Sequence, residues 1–195
     1  MDIKERQMAN NLSDIVQDTL SKNKPVRLHL GCGPVILDGY INVDGEYAAN
    51  IPGVVVYDIT KELPIPDNTV EEILTVHVIE HIAPNEVSTM LKEWYRVLKP
   101  GGQVATEWPD LLKACNFLVE DPSRIYSDNK KVKKMGVAGI YGNIAKHKDP
   151  IMLHKWGYSA EAMCKLYQDN GYTRTEVQEN QYRKSGIDSR VVAIK

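Results

Sequence analysis

Val26-Arg27-Leu28-His29-Leu30-Gly31-Cys32-Gly33 is the stretch that decides the fold. Apolar residues alternate at Val26, Leu28 and Leu30, then stop at a Gly-Cys-Gly turn. That is the pattern of a strand running into a tight loop. Glycine has no Cβ and adopts positive φ freely, so such a turn lets a ligand touch bare backbone. Beyond it, Tyr40-Ile41-Asn42-Val43-Asp44 is a second short apolar run, and it ends in a carboxylate. A carboxylate at the tip of the next strand can accept hydrogen bonds from two ribose hydroxyls. Together the two features describe a nucleoside-binding edge of an open α/β sheet.

Upstream, Ile3, Met8, Leu12, Ile15, Val16 and Leu20 fall at mostly helical spacing, predicting an N-terminal helix that Pro25 ends. Downstream, strands are predicted at 26–31, 40–43, 54–57 (ending at Asp58), 73–76 and 103–107. Pro84 suits the first turn of a helix, and Val87, Met90, Leu91, Trp94, Val97 and Leu98 give it one apolar stripe. Lys99-Pro100-Gly101-Gly102 stops that helix. Residues 111–156 show no regular alternation and read as an insertion or lid over an acceptor. Ser159 caps a helix running to Asn170, with Gly171 as its stop, and strand-like pieces follow at 172–177 and 190–194.

Strands alternating with helices predict an α/β, Rossmann-like fold: a mostly parallel seven-stranded sheet, helices on both faces, and a lid after strand five. Residues 1–195 read as a single domain, with 1–24 as its N-terminal helix. The link from Gly33 to Tyr40 is too short for a full crossover helix, and one abbreviated helical turn is expected there.

The 195 residues suffice for one core, and 43% hydrophobic with 26% charged residues is an ordinary globular composition. A net charge of −2 argues against a nucleic-acid partner. Cys32, Cys115 and Cys164 form neither a disulfide framework nor a zinc ribbon. The N-terminus has no apolar core of a leader, and no run approaches membrane-spanning length. The expectation is a cytoplasmic protein, monomeric or homodimeric, without a membrane partner.

Six pieces in order carry a resemblance: Leu28-His29-Leu30-Gly31-Cys32-Gly33, Ile41-Asn42-Val43-Asp44, Tyr57-Asp58-Ile59, Leu63-Pro64-Ile65-Pro66-Asp67-Asn68, His77-Val78-Ile79-Glu80-His81 and Arg96-Val97-Leu98-Lys99-Pro100-Gly101-Gly102. The chain resembles the class I S-adenosylmethionine-dependent methyltransferases over residues 26–110, and weakly again at His154-Lys155-Trp156-Gly157-Tyr158-Ser159. The resemblance implies S-adenosyl-L-methionine as cofactor. It implies that Gly31, Cys32 and Gly33 meet the methionine part, Asp44 the ribose and Asp58-Ile59 the adenine. His77 would sit beside the cofactor. His29 stands where many relatives carry an acid, and is included in the cofactor set. Val35 stands where many carry glycine.

The acceptor is expected to be a small or sugar-like molecule methylated on O or N. Trp108, Asp110, His154 and Tyr158 are its expected contacts, with His77 and His154 as candidate bases. A non-catalytic S-adenosylmethionine-binding protein and a nicotinamide oxidoreductase are the alternatives. The second would want a third glycine and a longer link to the second strand. His77-Val78-Ile79-Glu80-His81 also matches H-x-x-E-H, which presents two imidazoles to one zinc when it lies on a helix. Here it follows a strand and precedes Pro84. No metal site, and hence no zinc hydrolase, is expected.

Overall fold

The computed structural model describes residues 3–142, 150–183 and 185–195, and the side chains of residue 8 and of residues 11 onward within them. Strands β1 (Arg27–Leu30), β2 (Ile41–Asp44), β3 (Val54–Val56), β4 (Val70–Val76), β5 (Leu98–Pro109), β6 (Arg174–Gln178) and β7 (Asp188–Ile194) form one sheet. Their order is β3-β2-β1-β4-β5-β7-β6. The five N-terminal strands pair in parallel, and β7 runs antiparallel to both β5 and β6. The sheet is therefore mixed, not simply parallel. Strand order reverses between β1 and β4, and ligands bind such sheets at the carboxyl ends flanking that reversal.

One face carries the main core. Leu28, Leu30, Val43, Ile73, Val104 and Val191 point to it, and three helices cover it. Helix α1 (Ile3–Ser21) contributes Leu12 and Val16. The turn that follows it, before Pro25, is closed by Asn23, with φ of 52° and a bond to the Leu20 carbonyl. Helix α2 (Pro84–Val97) buries Val87, Met90, Leu91, Trp94 and Val97, the predicted stripe except Leu98, which begins β5. Helix α6 (Ala160–Asp169) is capped as expected, Ser159 accepting from the Ala162 amide, and it buries Met163 and Tyr167.

Among the described residues, no helix contributes to the apolar cluster of the other face, against the expectation of helices on both sides. This small cluster is Leu74, Ala105 and Val192, packed by Leu37, Tyr40, Val76 and Ile194. The β1–β2 link supplies Leu37 and Tyr40, but as turns and extended chain, without the helical turn expected there. Asn42 accepts from the Leu37 amide and donates to the Leu37 and Tyr40 carbonyls, so one side chain replaces the missing helix.

Residues 111–156 contain helices α3 (Leu111–Glu120), α4 (Lys130–Met135) and α5 (Val137–Tyr141). Asp110 and Asn129 cap α3 and α4. The Lys130–Lys134 run lies on exposed α4, with Lys133 reaching Asp128 at 3.0 Å. Among the described residues, no helix is long and apolar enough to cross a membrane.

Candidate active site

The glycine turn follows β1 at the switch point. Gly31 and Gly33 have φ of 70° and 53°. A Cβ on Gly31 would collide with the Val78 side chain, while nothing lies within 4 Å of one placed on Gly33. Gly31 is thus required by the fold, and Gly33 opens onto free space. Asp44 ties the turn down: its carboxylate accepts from the Gly33 amide at 2.5 Å and the Gly45 amide at 2.6 Å. Each carboxylate oxygen keeps a second lone pair, so a ribose hydroxyl can still donate to it. Asp58 is exposed past the end of β3 and accepts from the Thr60 amide and hydroxyl. Ile59 beside it is half-buried against the core.

His29 is buried on the minor face, its Nδ1 3.2 Å from the Asn42 side chain. Burial pushes its pKa down. It stands behind the turn and braces Asn42, which accounts for it without a cofactor contact. Cys32 is equally enclosed, and burial pushes its thiol up to about 12. That thiol packs; it does not react.

His77 ends β4 with φ of 58°, a left-handed conformation unusual for a side chain larger than glycine. Its amide donates to the Glu107 carbonyl, and Val78 next to it presses on Gly31. Non-glycine backbone strain of this kind collects at functional sites. The ring lies between two acids. Nε2 is 3.2 Å from Asp188, off the line of a good hydrogen bond, and Nδ1 is 3.5 Å from Glu80. Burial works against ionisation of Asp188, but contacts from His77 and Ser185 outweigh it and hold its carboxyl below the ordinary range. For Glu80, complete burial prevails and pushes the carboxyl up.

His154 arrives from far along the chain, and the structure does bring it to His77's neighbourhood. Its Nε2 is 4.0 Å from Glu80 and its Nδ1 3.1 Å from the Gly139 carbonyl. Burial, with His81 nearby, lowers its pKa to about 4. A ring that weakly basic is poorly suited to the proton-accepting role expected of it.

The remaining expected acceptor contacts are engaged in the fold. Trp108 is fully buried and donates to the Tyr158 carbonyl. Asp110 caps α3 through the Leu112 and Lys113 amides, and also accepts from the Ala160 amide and the Ser189 hydroxyl. Tyr158 is buried in the main core. These three tie the ends of residues 111–156 to the sheet.

Sequence reading missed the C-terminal contribution. Glu107, fully buried, accepts from the amides of Gln181, Tyr182 and Arg183 and from Arg190 at 2.9 Å. This pins residues 181–183 to β5. The only signal was charge inside otherwise apolar strands, at Glu107, Asp188 and Arg190. The motif pieces also have structural jobs. Arg96 donates to the Leu63 and Ile65 carbonyls and to Glu93 and Asp67, clasping the Leu63–Asn68 loop. A shallow cleft lined by Arg27, Glu71, Lys99 and Gln103 lies instead at the amino edge of the sheet.

The open space at Gly33, the carboxylate of Asp44 and the exposed Asp58 suit the methionine, ribose and adenine parts of the expected cofactor. Residues 28–106 match a family described as a methyltransferase domain. Comparison with curated proteins finds no match. Among solved structures, a SAM-dependent methyltransferase from Archaeoglobus fulgidus is similar at TM-score 0.60 and 15% identity, over 98% of this chain and 96% of the other. A SAM-dependent methyltransferase from Thermotoga maritima, described as a possible histamine N-methyltransferase, gives TM-score 0.54 and 16% identity over 97% and 92%. PigF with SAH gives 0.56 and 13%, over 92% of this chain and 53% of that one. At these identities the likeness establishes the fold alone. Residues 28–106 thus match a methyltransferase domain, and the whole chain shares the fold of S-adenosylmethionine-dependent methyltransferases.

Proposed function

We propose that this enzyme methylates an oxygen or nitrogen of a small, sugar-like acceptor seated at the carboxyl edge beside His77. When bound, the cofactor supplies an already activated methyl group, so the protein's task is to align the acceptor and exclude water. His77 is the residue that carries the reading. It is strained, partly exposed, next to the glycine turn and held against the ionised Asp188. Asp188 lies against Nε2 at 3.2 Å, which leaves Nδ1 to take a proton from the acceptor. The net charge of −2 favours a small acceptor over a nucleic acid.

The experiment combines calorimetry with S-adenosylhomocysteine and a screen of small hydroxyl and amine acceptors with labelled cofactor. His77→Gln is expected to bind S-adenosylhomocysteine like the parent and to lose turnover. Tight binding of NAD with no S-adenosylhomocysteine signal would sink the reading.

A further inference from the structure

Glu80 is 1% exposed, yet neither of its carboxylate oxygens has a hydrogen-bond partner among the described residues. A buried carboxylate without partners is costly. What faces it are imidazole nitrogens. Nε2 of His81 lies 3.9 Å and Nε2 of His154 4.0 Å from Oε1. These gaps are too long for hydrogen bonds.

The other nitrogen of each ring explains the arrangement. His81 Nδ1 is 3.1 Å from the Leu153 carbonyl, and His154 Nδ1 is 3.1 Å from the Gly139 carbonyl. A carbonyl can only accept, so in the neutral rings both Nδ1 atoms carry the proton and both Nε2 atoms present lone pairs. Metal-ligating histidines are fixed in this way by a backbone carbonyl behind them. Two lone pairs and a carboxylate thus converge, one donor atom from each residue, all within 4.8 Å of one another. An ion about 2.1 Å from each donor sets donors about 3.4–4.2 Å apart, the spacing seen from Oε1 to each ring. The backbone holds the set rigid, since the Glu80 carbonyl accepts from the Lys155 and Trp156 amides.

We propose that Glu80, His81 and His154 form a binding site for one divalent transition-metal ion. Two imidazoles with one carboxylate suit zinc, manganese, iron or cobalt, and do not suit the all-oxygen preference of calcium and magnesium. Three protein ligands leave at least one position open. Resting on the proposed methyl transfer, that position takes an oxygen of the acceptor, which selects acceptors with a hydroxyl or carboxylate able to ligate. The H-x-x-E-H spacing is not used as a helix pair. His77 presents Nε2 to Asp188 at 3.2 Å while its Nδ1 lies 3.5 Å from the same Glu80 oxygen, and the second imidazole of the convergent set comes from His154.

The test uses protein made without a histidine tag, stripped by chelator, and titrated with Co2+, Mn2+ and Zn2+ by calorimetry, with the visible spectrum of Co2+ as a second readout. The expected result is one ion per chain, with affinity falling roughly ten-fold or more in each of Glu80→Gln, His81→Ala and His154→Ala. His81 is the most exposed of the three and keeps the test usable if Glu80→Gln does not fold. No binding of any of the three ions at about millimolar concentration, or binding that survives both His81→Ala and His154→Ala, overturns the proposal. S-adenosylhomocysteine is titrated into the same stripped protein. Its failure to bind would remove the methyl-transfer reading and leave the ion site standing.

Discussion

Residues 26–110 and residues 111–156 solve the problem of order differently. The first region makes the sheet and its core, and exposes few large apolar side chains, Val35, Ile36 and Tyr47. The second exposes Leu112, Val119, Ile125, Tyr126, Tyr141, Ile151, Leu153 and Trp156, and adds to the buried apolar set only Ala114 among its described residues. Burial holds the sheet together, whereas the cap is held by polar ties at its two ends. At one end Asp110 and Trp108 reach across to Ala160, Ser189 and Tyr158. At the other, His81 and the Glu80 carbonyl engage Leu153, Lys155 and Trp156. The candidate site sits on that second set of ties, so the chemistry and the attachment of the cap share residues.

The sharpest break in this contrast comes from the sheet's own core. Trp94 is fully buried under α2. Trp94→Ala should cost about 3–5 kcal/mol, read by urea unfolding. A loss near zero would mean that α2 is not docked as described.

The difference also governs what the sequence revealed. The stripe Val87, Met90, Leu91, Trp94 and Val97 was legible because every member is buried on one face. The glycine turn was legible because Gly31 answers a steric demand from Val78. Helices α3, α4 and α5 were not, because periodicity reports burial and these helices bury little. The role of Glu80 was hidden for another reason. Its neighbours His81 and His154 are brought together by the fold, and sequence spacing does not report such a meeting. Trp108, Asp110 and Tyr158, read from the sequence as acceptor contacts, lie where residues 111–156 meet the sheet, and their polar groups and bulk serve that junction.

A pH titration probes the tie at Glu80. His154 has a pKa of about 4 when folded, against 6.5 for the free side chain. Between those values the unfolded chain binds the extra proton, so stability rises with pH. His154's contribution is complete above about pH 6.5, shrinks as pH falls toward 4, and is flat below. The change is at most about 3 kcal/mol. Glu80, whose pKa is raised by burial, acts in the opposite sense, contributing below its unfolded value of 4.5 and losing that contribution as pH rises. The measurement is therefore the difference between parent and His154→Gln in metal-free protein, followed by thermal melts from pH 4 to pH 8. Parallel curves would show that the ring is not buried neutral.

At the other tie, Asp110→Ala removes a helix cap and leaves the Ala160 amide and Ser189 hydroxyl without their acceptor. A cap is worth about 1 kcal/mol and an orphaned buried donor about 1–3 kcal/mol. The expected loss is about 2–3 kcal/mol. It should be accompanied by faster proteolysis between residues 111 and 156, with the sheet intact by far-ultraviolet circular dichroism. A variant of normal stability that had lost only acceptor affinity would return Asp110 to the substrate-binding role read from the sequence.

The smallest effect tests the other half of the contrast. Val119 and Tyr126 are 76% and 86% exposed, on a helix and a turn that do not reach the sheet core. A side chain that stays in water in both folded and unfolded states contributes little to the difference between them. Val119→Ser and Tyr126→Ser should each shift stability by no more than about 0.5 kcal/mol. Their effects should also add, because neither lies in a shared packed cluster. The same conservative swap in the sheet, Val104→Ser, removes a fully buried side chain from the main core and leaves a buried hydroxyl in its place. If the cap variants cost as much as the sheet variant, the cap has a core of its own. The polar ties at Asp110 and Glu80 would then be ornaments of its packing rather than its means of attachment.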